Sequence, residues 1–194
     1  MKHKLLSIIT VFFCTLYLLS TSASSTAAEK FDFRGIRLGS NVESIRGMYK
    51  IGEARFVFEG WTEYWQKKDE KMSIGDIVCD EIKYSTFFGD IYEITITSTD
   101  NRKHILKEIL TEKCGTPIEK DEDPLTGEYL DYLCWDFGNG IEITYQWYIN
   151  LEKDADIVII RYTLLPLEQQ SRDYVKKAVE ERKKQTIKQG QDDL

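Results

Sequence analysis

Ile141-Glu142-Ile143-Thr144-Tyr145-Gln146-Trp147-Tyr148-Ile149 is the stretch on which the fold class turns. Ile141, Ile143, Tyr145, Trp147 and Ile149 share one parity, and Glu142, Thr144, Gln146 and Tyr148 share the other. A period of two over nine residues marks a strand with one apolar face and one polar face. Immediately before it, Gly138-Asn139-Gly140 supplies the residues that a tight hairpin turn needs, so Tyr129 to Phe137 is its antiparallel partner, and Ile157 to Leu165 follows as a third strand.

The same period recurs upstream. Phe56 and Phe58 alternate with Val57 and Glu59 up to Gly60, after which Trp61, Glu63 and Trp65 share one parity. A polar turn from Gln66 to Lys71 leads to Ile74 to Phe88, Gly89-Asp90 turns the chain again, and Tyr92, Ile94 and Ile96 then alternate with Glu93, Thr95 and Thr97. This reads as a second three-stranded meander. Short helical signals precede each set. Phe31 to Gly39 suits a short opening strand, Ser40-Asn41-Val42-Glu43 is a capping box, and Val42, Ile45 and Tyr49 form one stripe up to Gly52. Asp100 can cap a second helix, Asn101 to Lys113, closed by Gly115 and Pro117. Pro166 opens a C-terminal helix that docks through Leu167, Tyr174, Val175 and Ala178 and frays after about Ile187, where charged and amide side chains dominate. The expectation is an α+β domain: an antiparallel sheet of about six strands with helices on one face and a charged C-terminal helix. The order is compatible with a duplicated helix–three-strand-meander unit, with halves at 33–99 and 100–165.

The first 28 residues stand apart. Lys2, His3 and Lys4 precede an uncharged run from Leu5 to Leu19, and small residues follow to Ala28, with Thr26 and Ala28 or Thr21 and Ala23 at the −3 and −1 positions of a cleavage site. That is the pattern of a secretory signal peptide. The run would span only about 22 Å as a helix, short of a hydrocarbon core of ~30 Å. Cleavage after Ala28 leaves 166 residues as a single domain over 29–166 with a tail over 167–194. Loss of Lys2 and Lys4 then takes the net charge from −7 to −9. The expected location is extracytoplasmic, periplasmic or secreted, with no membrane anchor after processing. An acidic surface lacks the basic stripe that phosphate neutralisation requires, so nucleic acid is not an expected partner.

The mature chain keeps one histidine, His104, and three cysteines, Cys79, Cys114 and Cys134. His104 with Glu108 at i+4 reads as a solvated pair, and no Cys–His spacing suits zinc. Asp121-Glu122-Asp123-Pro124 lacks the alternating ligands and central glycine of a calcium loop. No catalytic residue, metal or cofactor is therefore nominated. Three cysteines in an oxidising compartment allow one bridge: Cys114–Cys134 is favoured, worth about 3 kcal/mol in the chain-entropy estimate, with Cys79–Cys134 and a fully reduced set as alternatives. Trp61 and Trp65, with Glu59 and Glu63 on the same parity, form a candidate partner-binding strip with rings ~13 Å apart. They face solvent if alternation runs through Gly60 and the core if Gly60 is a bulge.

Gly35-Ile36-Arg37-Leu38-Gly39-Ser40-Asn41-Val42-Glu43-Ser44-Ile45 resembles the opening of small bacterial envelope domains in the superfamily of the outer-membrane-assembly small lipoprotein and the β-lactamase inhibitor protein. Leu110-Thr111-Glu112-Lys113-Cys114-Gly115-Thr116-Pro117 is similar to the helix end and Gly-x-Pro found there. The resemblance implies a non-enzymatic binding or assembly-supporting module of the bacterial cell envelope. Its expected partner is an envelope protein or peptidoglycan, held on the open sheet face or at the Trp61/Trp65 edge. The alternative is an inhibitor of an extracytoplasmic hydrolase that inserts the acidic loop from Glu119 to Asp123.

Overall fold

The computed structural model describes residues 32–53, 62–119, 129–150 and 155–192 of the chain. Residues 32–37 are one small unit: Phe33 and Ile36 exchange backbone hydrogen bonds of 3.0 Å around Arg34 and Gly35, both at positive φ. Asp32 Oδ1 accepts from the Gly35 N–H at 3.1 Å, and the Arg34 guanidinium lies 4.7 Å from the Phe33 ring centroid. The expected opening strand is thus a tight turn.

The main unit runs from Leu38. A 3₁₀ turn at Val42–Ser44 is followed by β1 (Met48–Glu53), β2 (Thr62–Lys67), β3 (Ser73–Ile74), β4 (Ile77–Val78), β5 (Glu81–Phe87) and β6 (Asp90–Ser98). Next come helix α1 (His104–Cys114), β7 (Ile118–Glu119), β8 (Tyr129–Asp136), β9 (Ile141–Asn150), β10 (Ala155–Leu164) and helix α2 (Leu165–Asp192). Eight strands form one sheet in the order β1-β2-β5-β6-β10-β9-β8-β7, every neighbouring pair antiparallel; β3 and β4 make a separate hairpin. The sheet exceeds the six strands expected because β1 and the two-residue β7 extend its edges.

Register explains the core. Ile82, Ile96, Ile160, Tyr145 and Leu133 lie in one row across five strands, and Trp65, Tyr84, Ile94, Tyr162, Ile143 and Trp135 in the next across six. All but Trp65 are buried. Helix α1 sits on this face: Leu106 and Leu110 are buried, Lys107 Nζ meets Asp131 Oδ2 at 2.7 Å, Trp135 Nε1 donates to the Gly115 carbonyl at 2.7 Å, and the Lys103 ammonium lies 5.9 Å from the Trp147 ring.

Helix α2 lies across the opposite face, so the helices flank the sheet rather than sharing one side. Its Ser171 hydroxyl is 3.4 Å from that of Thr62, and Tyr174 meets Phe87 and Phe88 edge-on at 5.9 and 5.3 Å. The helix continues to Asp192, beyond the fraying point expected near Ile187. Its start is tied to the β8–β9 turn: the Leu165 N–H donates to the Gly140 carbonyl at 2.8 Å.

Three further expectations change. The capping box does not open a helix: Asn41, not Ser40, caps, its side chain accepting from the Glu43 N–H at 3.0 Å, and only Val42–Ser44 are helical. Segment 39–42 instead bonds to the start of β6, Gly39 N–H to Ile91 O at 2.7 Å and Ile91 N–H to Ser40 O at 2.9 Å, which commits Ser40 to extended pairing. Tyr92 does not share a face with Ile94. A register shift opposite Ser85 and Thr86 makes it the extra residue of a bulge, and its phenol lies near Thr62, Ser85 and Glu93 on the α2 side. The Cys114–Cys134 bridge is absent, and none of Cys79, Cys114 and Cys134 is in a disulfide. Cys134, opposite Thr144, faces the α2 side with its Sγ 3.0 Å from Glu142 Oε2, whereas Cys114 ends the helix on the other face.

Gly140 has φ +81°, and a Cβ there would come within 3.0 Å of the Pro166 ring. Gly140→Ala is expected to cost at least about 1–2 kcal/mol, from left-handed strain alone, read as a lower urea midpoint with unchanged slope. Asp100 joins the β3–β4 hairpin to the α1 start by accepting from the Val78 N–H at 3.0 Å and the Arg102 N–H at 2.8 Å. The Arg102 guanidinium beside it holds its carboxyl well below the usual carboxylate range. A depressed folded value means that its contribution is complete above the ordinary carboxylate pKa of about 3.9 and is lost as pH falls toward the lower folded value. The stability gap between wild type and Asp100→Asn should therefore narrow as pH drops below about 4 in urea titrations.

Candidate functional site

The face under α2 is polar, which is unusual for a sheet covered by a helix. Across it run Lys83, Thr95, Arg161, Thr144 and Cys134 in one row, and Ser85, Glu93, Thr163, Glu142 and Asp136 in the next. Between these strands and the first turns of α2 lies a cleft of about 360 Å³, lined by Tyr132, Thr144, Gln146 and Thr163 together with the charged side chains of Glu93, Glu142, Glu168, Arg161 and Arg172.

Most of its charges are already engaged within the protein. Arg172 grips Glu168 Oε1 with Nη2 at 2.5 Å and Nε at 3.2 Å, and Glu168 holds that guanidinium above its usual pKa, with Tyr92 and Glu93 adding to the effect. Glu93 Oε1 accepts from the Thr95 hydroxyl at 2.9 Å and the Ser85 hydroxyl at 3.4 Å. Burial, reinforced by the adjacent Glu93, pushes the Tyr92 phenol above its ordinary pKa, so it stays a neutral donor at the foot of α2.

Arg161 differs. Its guanidinium donates to the Gln146 carbonyl oxygen, a neutral acceptor, and has no carboxylate partner among the described residues. Thr144, Gln146 and Thr163 are each at least 94% buried, at 5%, 5% and 6% relative exposure. Yet the two threonine hydroxyls and the Gln146 amide nitrogen have no hydrogen-bond partner among the described residues, and none of these atoms is sealed from solvent. They open into the cleft. Donors that reach solvent around a guanidinium without a carboxylate partner are the groups that this cleft presents to whatever enters it.

The sequence nominated other residues. Trp65 pairs with Tyr84 and Lys50 at the end of the apolar row, half-buried, its Nε1 donating to Glu63 Oε2 at 3.2 Å. Glu63 also accepts from Lys50 Nζ at 2.8 Å, so these side chains are tied to one another at the sheet edge. Trp61 and Glu59 lie outside the described residues, as does the acidic loop beyond Glu119. His104 and Glu108 are both exposed on α1. Among the described residues no group of three or more His, Cys, Asp or Glu is placed to hold a metal ion. A larger, more open trough of about 620 Å³ runs along Tyr49, Gln66–Glu70 and Met72, but Tyr49 and Gln66 satisfy each other there at 2.8 Å. The cleft was missed because the polar parity of β9 reads as a solvated face. The available signal was Arg161, the one charged side chain between Ile157 and Leu165.

If the hydroxyls serve a ligand rather than the fold, Thr144→Val and Thr163→Val should leave stability within about 1 kcal/mol of wild type or raise it, because no protein hydrogen bond is lost. Urea unfolding checks this; a loss of 2 kcal/mol or more would reveal a structural bond. No protein-family model, curated protein or solved structure matches this chain.

Proposed function

We propose that this protein is an extracytoplasmic, non-enzymatic binding module of the bacterial cell envelope that holds peptidoglycan through the cleft beneath α2. The observation that carries the reading is the cleft itself, into which the Thr144 and Thr163 hydroxyls and the Gln146 amide nitrogen open, on residues otherwise buried, beside Arg161. The signal-like N-terminus and the resemblance to envelope-assembly domains support the location. The scale of the cleft favours a polymer offering small polar groups over a folded protein, which needs roughly 800 Å² per partner of complementary surface. Peptidoglycan offers carboxylates, hydroxyls and amides in units of that size. The two halves, each supplying four consecutive sheet strands, are read as a duplicated four-strand meander, the first copy opening with the 3₁₀ turn at Val42–Ser44 where the second has α1, and the second carries most of the cleft.

Co-sedimentation with purified sacculi tests the proposal. Wild type should pellet with sacculi, and the Thr144→Val/Thr163→Val variant, folded by circular dichroism, should do so at least fivefold less. Equal pelleting of the two, or none by wild type, overturns it.

A further inference from the structure

We infer that the cleft is a carboxylate-binding site, with Arg161 as its anchor, for a small organic acid that carries a hydrogen-bond donor beside its carboxyl group. The inference rests on the reading of this cleft as the binding site and adds the chemical class of the ligand and the way it lies.

The donors come first. Arg161 stands in the middle of β10, with Thr95 on one side and Thr144 on the other. A guanidinium has five N–H donors in a planar fork matched to a carboxylate. Here it is fixed to Gln146, which aims it without neutralising it. The Thr144 hydroxyl and the Gln146 amide nitrogen lie alongside and have no acceptor among the described residues. A carboxylate offers about four lone-pair directions, enough to receive the fork and both neighbours. Arg172, the other cleft arginine, is already held by Glu168 and does not compete.

The far end of the site has the opposite character. Thr163 lies between Glu142 and Glu93 in the adjacent row. With strands about 4.8 Å apart, the backbones bearing the two acids are ~10 Å apart, and this row lies ~6.7 Å along the strand from Arg161. An acid whose carboxylate meets Arg161 therefore places its neighbouring substituent toward Thr163 and the two glutamates. An apolar substituent would find no match there, whereas a hydroxyl or an ammonium would. The same cleft thus accepts hydroxy acids and amino acids through one recognition chemistry and discriminates against simple fatty acids.

An isosteric series separates the sources. Butyrate, 2-hydroxybutyrate and 2-aminobutyrate, titrated into the purified chain by NMR, differ only in the group beside the carboxyl. The expected result is saturable binding of the hydroxy or the amino acid at least tenfold tighter than that of butyrate, the preferred one naming the ligand's donor. Arg161→Gln should weaken that binding at least tenfold and Arg161→Lys less, because lysine keeps the charge without the fork. Thr144→Val, which removes no protein hydrogen bond, should weaken it severalfold in a fully folded protein. Binding of none of the three acids, equal binding of all three, or unchanged affinity in Arg161→Gln overturns the inference. If sacculi are still captured through the threonine hydroxyls, the ligand class is wrong while the cleft reading stands. If the acids bind but sacculi do not, the peptidoglycan reading is wrong while the carboxylate site stands.

Discussion

The antiparallel pairing of β6 with β10 is the constraint on which the rest of the molecule depends. Each half of the chain builds its own four strands, and they become one sheet only where Ser98 to Glu93 align with Val158 to Thr163. That register places Ile96 beside Ile160 and Ile94 beside Tyr162, which lets the apolar rows of both halves run unbroken from β5 to β8. A slip of one residue would bring Thr95 and Thr97 onto the α1 face and send the isoleucines under α2. The same register sets Arg161 against Thr95 and Thr144, and Thr163 between two glutamates. Core and cleft are therefore two sides of one alignment.

Burial is divided unequally between the faces. The α1 side holds the large apolar side chains, and there the hydrophobic term acts at roughly 25 cal/mol per Å² of apolar area. Helix α2 is held differently: by a hydroxyl contact at Ser171, by edge-on aromatic contacts of Tyr174 with Phe87 and Phe88, and by its covalent continuity with β10. Phe88 is 58% exposed and sits at φ +50°, an uncommon conformation for a bulky residue. The Tyr174 contact and the Gly89 turn, closed onto Val42 by a 2.8 Å backbone hydrogen bond, keep it there. Small and polar residues under α2 leave room that large apolar ones would fill, and that room is the cleft.

Much of the architecture was legible because its signals are local. Strands β8, β9 and β10 and the Gly138-Asn139-Gly140 turn follow from alternation and turn chemistry, and α1 follows from its Leu106/Leu110 spacing and the Gly115 stop. What misled was local signal overridden by pairing at a distance. Ser40-Asn41-Val42-Glu43 has the pattern of a capping box, yet the backbone of Gly39 and Ser40 is taken by Ile91, and Val42 anchors in the core at 0% exposure. Gly47, at φ +88°, then turns the chain into an edge strand before a second helical turn can form. Tyr92 fits the apolar parity of β6 perfectly, and only the bulge opposite Ser85 moves it to the other side. The cysteine count gave no clue to facing direction, so a bridge that looked short along the chain fell on opposite sides of the sheet.

The cleft was hidden for a different reason. Alternation tells which residues share a face but not whether a distant helix will cover it, and α2 returns over the polar parity from beyond the last strand. Once it does, Thr144, Gln146 and Thr163 change from ordinary solvated residues into largely buried ones that line a cleft, although nothing in their own neighbourhood in the sequence has altered. This arrangement divides the sheet between two kinds of packing: the α1 face carries the apolar core, and the α2 face retains polar groups around the cleft. Substitutions on the cleft side can then change the chemistry of its lining without dismantling the sheet that presents it, whereas substitutions in the rows of Ile96 and Ile94 strike the core on which that sheet depends.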